Sequence, residues 1–185
     1  MDEFVPLWDE FQQLRLAREH FPMWTEWGIE DAFTAVHSLG LSYLVTVGQA
    51  LGFAACAEYP VDPSIRSDGV WWDKVTREPM AIFEFERYKD GSELRDKVQN
   101  LLIAYHRLNL QPRLLSLIYW TKNFYPLGDE VTQELWSIVM HGFRTSTGQT
   151  ITGADPRLLR IFEVQHRAAE GSKFSLKGFS ERRRS

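Results

Sequence analysis

Three acids in the middle of the chain have the types and spacing for metal chemistry. Glu84 and Glu86 stand two apart in Met80–Tyr88, a run that reads as a strand. Side chains alternate across a strand, so both glutamates share a face with Ile82 and Tyr88, while Ala81, Phe83, Phe85 and Arg87 take the other. Half-buried like charges raise one another's pKa unless a cation or a basic partner sits between them. Asp68, in the β-rich run Ile65–Trp72, supplies a third acid if the two runs form a hairpin across Asp73–Pro79; Gly69 beside it permits a bend. Hard divalent cations such as Mg²⁺ take oxygen ligands and commonly use one or two carboxylates plus water and substrate phosphate. An acid on each strand of a hairpin, near a helix amino end, is a workable cage for that ion. The competing readings are plain: Asp68 caps a turn, and Glu84 and Glu86 lie on a solvated face against Arg66 or Arg87.

The elements that must position these acids follow from periodicity. The first twenty residues place Phe4, Leu7, Trp8, Phe11, Leu14 and Leu16 at helical spacing. Asp31–Leu51 reads as a long helix with His37 near its apolar side and Gly52 as its stop. Phe53–Tyr59 reads as a strand closed by Pro60, with Glu58 near its end. After Met80–Tyr88, Asp90 and Glu93 have the spacing of a capping box. The helix that follows puts Leu94, Val98, Leu101, Leu102, Tyr105 and Leu108 on one face and ends at Pro112. Leu114–Trp120 is an unbroken apolar run, as expected of a strand covered on both faces. Glu130–Phe143 predicts another helix. The fold class is α/β, a mixed central sheet flanked by helices. Residues 1–172 form the single domain, with 1–30 as an amino-terminal helical extension and 173–185 as a basic, flexible tail.

Asp68, fifteen intervening residues, then Glu84-Phe85-Glu86 resembles the PD-(D/E)XK nuclease superfamily, the restriction-endonuclease-like proteins. The order of elements over Phe33–Trp120 is similar to that superfamily's αβββαβ core. The resemblance implies a Mg²⁺- or Mn²⁺-dependent endonuclease that hydrolyses phosphodiester bonds in DNA. By it, Asp68 and Glu84 hold the metal, and Glu86 orients or deprotonates water or ligates a second ion. The superfamily's usual lysine is replaced by Glu86, an ExE variant. Lys97 on the following helix is the best substitute, with Arg87 and Arg95 behind it. The alternative is a catalytically inactive nuclease-fold module that binds nucleic acid or a partner protein. Cutting both strands of a duplex often calls for two active sites, so a homodimer is compatible.

Composition narrows the field. One cysteine, Cys56, excludes a disulfide framework and a multi-cysteine zinc site, and within Ala54–Ala57 it reads as buried and inert. His20, His37, His106, His141 and His166 have no zinc spacing, and no phosphate-binding glycine loop or nucleophile elbow is present. No signal peptide or membrane span is read, so the expected compartment is cytoplasmic. The net charge of −4 argues against a polyanionic partner only in bulk. Residues 1–31 hold eight acids and two bases, and Lys173–Ser185 hold five bases and one acid. Local basic patches from Lys89, Arg95, Lys97, Arg107, Lys122 and the tail remain available to DNA. The aromatic amino-terminal segment, from Phe4 to Trp27, covers its own core or forms a docking or dimer surface.

Overall fold

Leu114–Thr121 (β5) is buried along its whole length and anchors a seven-stranded sheet. In a computed structural model, the described residues are 3–63, 65–89, 91–121, 127–169 and 173–183. The other strands are β1 (Ile29–Glu30), β2 (Ala54–Asp62), β3 (Ile65–Trp72), β4 (Pro79–Tyr88), β8 (Leu159–Ala168) and β9 (Lys173–Arg182). Their order is β1-β9-β8-β5-β4-β3-β2. β5 is parallel to β4 and β8, and the remaining neighbours are antiparallel. β6 (Gly142–Arg144) and β7 (Thr150–Thr152) form a separate small hairpin. The helices are α1 (Val5–Gln13), α2 (Arg15–His20), α3 (Phe33–Ala50), α4 (Ser92–Arg107) and α5 (Asp129–His141). No helix among the described residues is long and apolar enough to cross a membrane.

Alternation along the strands builds two cores. Ala81, Phe83 and Phe85 of β4 pack with Trp71, Trp120, Phe162 and the apolar faces of α1 and α3. Val70, Ile82, Leu115, Leu117, Tyr119 and Ile161 pack on the opposite face against Leu94, Val98 and Leu101 of α4 and Leu135, Trp136 and Val139 of α5. Both crossovers between parallel strands lie on this second face while α1 and α3 cover the first, so β5 reads as a continuous apolar run.

The amino-terminal segment is part of the first core. Phe4, Leu7, Phe11, Leu14 and Trp24 are buried there, while Trp27 is exposed. Leu14 adopts a left-handed φ of 53° between α1 and α2. The buried Glu10 carboxylate accepts the Leu16 and Ala17 N–H groups, which caps α2, and also the Tyr43 hydroxyl. Burial and the Glu10 charge hold the Tyr43 phenol well above its ordinary pKa.

Three expectations are corrected. The segment read as a flexible tail, 173–185, is strand β9 over Lys173–Arg182, paired along β8, with Phe174, Leu176 and Phe179 buried. The last two residues of that segment, Arg184 and Ser185, lie outside the described residues, as do Asp90 of the expected capping box and Lys122 of the expected basic patch. The residue preceding α4 is Gly91 at φ 90°, a backbone that favours glycine. Cys56 is exposed, because β2 is an edge strand and Cys56 faces solvent.

α3 lies close to the sheet through its glycines. A Cβ on Gly40 would stand 2.5 Å from the buried Phe85 ring. Gly→Ala inside a helix normally gains up to about 1 kcal/mol, whereas overpacking a core costs about 1–3 kcal/mol. Gly40→Ala is therefore expected to lower the urea midpoint of unfolding, against ordinary helix propensity. A raised midpoint would show that α3 can move off Phe85 freely.

Candidate functional site

Asp68, Glu84, Glu86 and Lys97 come together on the α4 face of the sheet. The β3–β4 ladder runs from Trp72↔Pro79 to Gly69↔Phe83, and beyond that point Asp68 takes over the pairing. Its Oδ2 accepts the Phe85 backbone N–H at 2.8 Å, a bond that a continued ladder would have given to a carbonyl. Glu84 lies beside it with 0% exposure, and Glu86 follows two residues later toward the open end of β4. Lys97 enters from the second turn of α4, its side chain 19% exposed. Its Nζ donates to Asp68 Oδ2 at 3.2 Å, and stands 2.8 Å from Glu84 Oε2 and 3.7 Å from Glu86 Oε2.

The contact to Glu84 is one of charge. Nζ lies off the hydrogen-bonding direction, and neither Glu84 oxygen has a hydrogen-bond partner among the described residues. Burial first, then the Asp68 charge, push the Glu84 carboxyl well above the usual glutamate range, and Lys97 only partly offsets them. Asp68 moves the other way. Burial pushes it up, but the His37 ring, the Lys97 ammonium and the Phe85 amide together bring it below the ordinary aspartate value. Burial works against the Lys97 ammonium, yet Glu84 and Asp68 outweigh it and raise the pKa above the ordinary lysine value. Two neighbouring carboxyls with pKa values driven apart are the arrangement acid–base chemistry uses.

His37 was not among the expected site residues. It projects from α3 on the opposite face, yet its Nε2 stands 3.6 Å from Asp68 Oδ1, because the splayed hairpin lets it reach around. Phe33, one turn earlier, stacks on His37 and on Trp120. The only sequence signal was the Phe33/His37 spacing of four, which fits a core helix equally well.

The other candidates lie elsewhere. Arg87 points to the α3 face and pairs with Asp31 at 2.9 Å. Arg95 pairs with Glu134 of α5 at 2.7 Å. Glu58 is exposed on β2 with a left-handed φ of 52° and takes no part in the cluster. Lys89 and Arg107 are paired with Glu93 and Asp62. The competing reading, in which Glu84 and Glu86 lie on a solvated face, fails for Glu84, which is completely buried. Among the described residues, no group of three or more His, Cys, Asp or Glu converges closely enough to hold a metal ion.

A second polar group follows along the same face. In the parallel register Glu86 lies beside Tyr119, and Tyr119 beside Glu163. The Tyr119 hydroxyl donates to Glu163 Oε2 at 3.2 Å and accepts from Arg182 Nε at 3.1 Å. Burial raises the Tyr119 pKa above the ordinary tyrosine value, and Arg182 opposes that only in part.

Compared with known proteins, the chain matches no family model, no curated protein sequence and no solved structure.

The Glu84 shift has a defined sign. Its folded pKa is above the unfolded value, so the folded state takes up a proton first, and stability from this group rises as pH falls through that raised folded value toward about 4.3. Wild type is therefore expected to gain stability relative to Glu84→Gln in urea titrations carried from pH 8 down to pH 5. A pH-independent difference would mean that Glu84 titrates as it does in the unfolded chain.

Proposed function

We propose that this protein is a metal-dependent nuclease that hydrolyses phosphodiester bonds in DNA, of the PD-(D/E)XK type, with its lysine carried on the helix after the ExE strand. The observation that carries this reading is the meeting of Asp68, Glu84 and Lys97: two carboxylates from neighbouring strands within 3.2 Å of one ammonium. The succession α3, β2, β3, β4, α4, β5 supports it, since it follows the αβββαβ order.

The donor set suits a hard divalent ion. Asp68 Oδ2 and Glu84 Oε2 lie no more than 6.0 Å apart, and the Glu84 oxygens have no hydrogen-bond donor among the described residues. Two carboxylates with no third protein ligand match the way Mg²⁺ is commonly held, with water and phosphate oxygens completing the shell. Asp68 and Glu84 would hold the ion, which would supply a nucleophilic water at neutral pH and neutralise phosphate charge. The chain's own residues do the rest. Glu86, the most open of the three carboxylates at 14% side-chain exposure, is placed to orient a water or accept its proton. The Lys97 ammonium offsets negative charge growing on the phosphate oxygens. His37 and the Phe85 amide position Asp68 from two sides.

A second reading is favoured by one observation. Lys97 already balances part of the carboxylate charge, so the cluster is stable as a protein-only polar core, and the fold could bind nucleic acid or a partner protein without cutting.

Plasmid nicking separates the two. Wild type with Mg²⁺ or Mn²⁺ is expected to nick supercoiled plasmid and to lose that activity in EDTA. Asp68→Ala, Glu84→Ala and Lys97→Ala should each lose about 100-fold or more, the scale of removing one electrostatic contact to a transition state. No cleavage under any metal, or equal cleavage by wild type and all three variants, overturns the nuclease reading.

A further inference from the structure

A cleft of about 360 Å³ opens where β8 begins and β9 ends, beside α5. Trp136 and Leu159 give it an apolar floor. Around that floor stand Arg157, Arg160, Arg182 and Arg183, with Glu181 the acid among them. In a chain of net charge −4, four arginines among the residues lining one cleft are a local reversal of sign.

Three carboxylates hold these four cations, which leaves one positive charge over. Arg157 pairs with Asp155 at 2.6 Å, Arg160 and Arg183 with Glu181 at 2.7 and 3.8 Å, and Arg182 with Glu163 at 2.7 Å. The pairs are unequal in cost to break. Arg157 and Arg183 have side chains 89% and 87% exposed, and ion pairs so open to water contribute little. Exchanging their carboxylates for a phosphate is therefore cheap, and a guanidinium fork matches phosphate oxygens two at a time. Arg160 and Arg182 are the better-fixed members, because each is also held by an aromatic side chain: Arg160 over the Trp8 ring, Arg182 by the Tyr119 hydroxyl.

Arg182 also links the cleft to the acidic cluster. It lies opposite Ile161, on the sheet face that carries Ile82 and Glu84, and its guanidinium reaches Tyr119, the neighbour of Glu86. From β4 to β9 is three strand spacings, about 14 Å. The volume suits one nucleotide.

We propose that this cleft binds one nucleotide unit of a polynucleotide strand, its phosphate against Arg157 and Arg183 and its base on the Trp136–Leu159 floor. The inference rests on the phosphodiester ligand of the nuclease reading, but it needs no cleavage.

The test is fluorescence anisotropy of a labelled 20-nucleotide DNA strand in EDTA, with the full chain. Arg157→Ala/Arg183→Ala is expected to weaken binding about tenfold or more at 100 mM salt and to flatten the salt slope by ~0.7, the share of one neutralised phosphate. Its thermal midpoint should match wild type, since both side chains are in water. Arg113→Ala/Arg144→Ala removes the same charge elsewhere and should bind nearly as wild type does. Unchanged affinity in the first variant, or an equal loss in both, overturns the proposal. So does a wild type that binds adenosine monophosphate in the cleft but no strand. Strand binding that depends on Arg157 and Arg183, in a protein that never nicks plasmid, keeps the cleft and removes the nuclease. Nicking by a protein whose strand affinity ignores both arginines does the reverse.

Discussion

The polar end of the sheet depends on one half-buried ammonium. Glu84 is placed by β4 in the middle of a covered sheet, where a lone carboxylate costs several kcal/mol of lost hydration. Lys97 Nζ, 2.8 Å away, is the nearby cation that offsets this cost, and it serves Asp68 at the same time. Such a pairing is not a large net source of stability, because the ammonium is itself taken partly out of water. What it does is tie the register of α4 to that of β3 and β4. Lys97 reaches both acids only if α4 lies across the end of the hairpin.

The hairpin in turn opens where the acids begin. A regular ladder past Gly69 would give the Phe85 N–H to a strand carbonyl and turn the two strands into a closed pair. Asp68 takes that N–H with its side chain, so the strands part, and a group from the far side of the sheet, His37, comes within reach of the same carboxylate. Two faces that are otherwise separate cores thus meet at one residue. The rigidity comes from the cores: β5 is buried throughout, and α3 is brought against Phe85 and Trp71 by Gly40 and Gly48. A constellation held on strands between two packed layers keeps its geometry better than one on loops.

Much of this was legible before any coordinates. The alternation in Met80–Tyr88, the apolar run Leu114–Trp120 and the 3.6-residue pattern from Leu94 to Leu108 each reflect a short-range rule, and each element forms nearly where it was expected. The shared face of Glu84 and Glu86 followed from the same alternation. β8 and β9 did not show, and the reason is particular. Phe174 and Leu176 alternate, but Phe179 falls out of step because β9 bulges at Lys177, opposite Gln165/His166 of β8, and the five bases of Lys173–Ser185 outweigh three apolar residues in any local reading. The exposure of Cys56 was equally invisible, because whether a strand is an edge depends on the order of the whole sheet.

The amino-acid sequence by itself determined the local grammar: which runs are strands or helices, which residues of a strand share a face, and that acids sit on a face otherwise apolar. Only the tertiary structure decided which charges meet. Lys97, Arg87 and Arg95 were all candidates from the chain alone, and Arg87 is the nearest to Glu84 in sequence, yet Lys97 enters the cluster, Arg87 crosses to α3 and Arg95 turns to α5. The gathering of Arg157, Arg160, Arg182 and Arg183 beside Trp136 was decided in the same way, by the pairing of β9 with β8. The physical reason is common to both. Periodicity is carried by neighbours along the chain, whereas a charge partner is set by which layers pack, and that depends on the whole core at once.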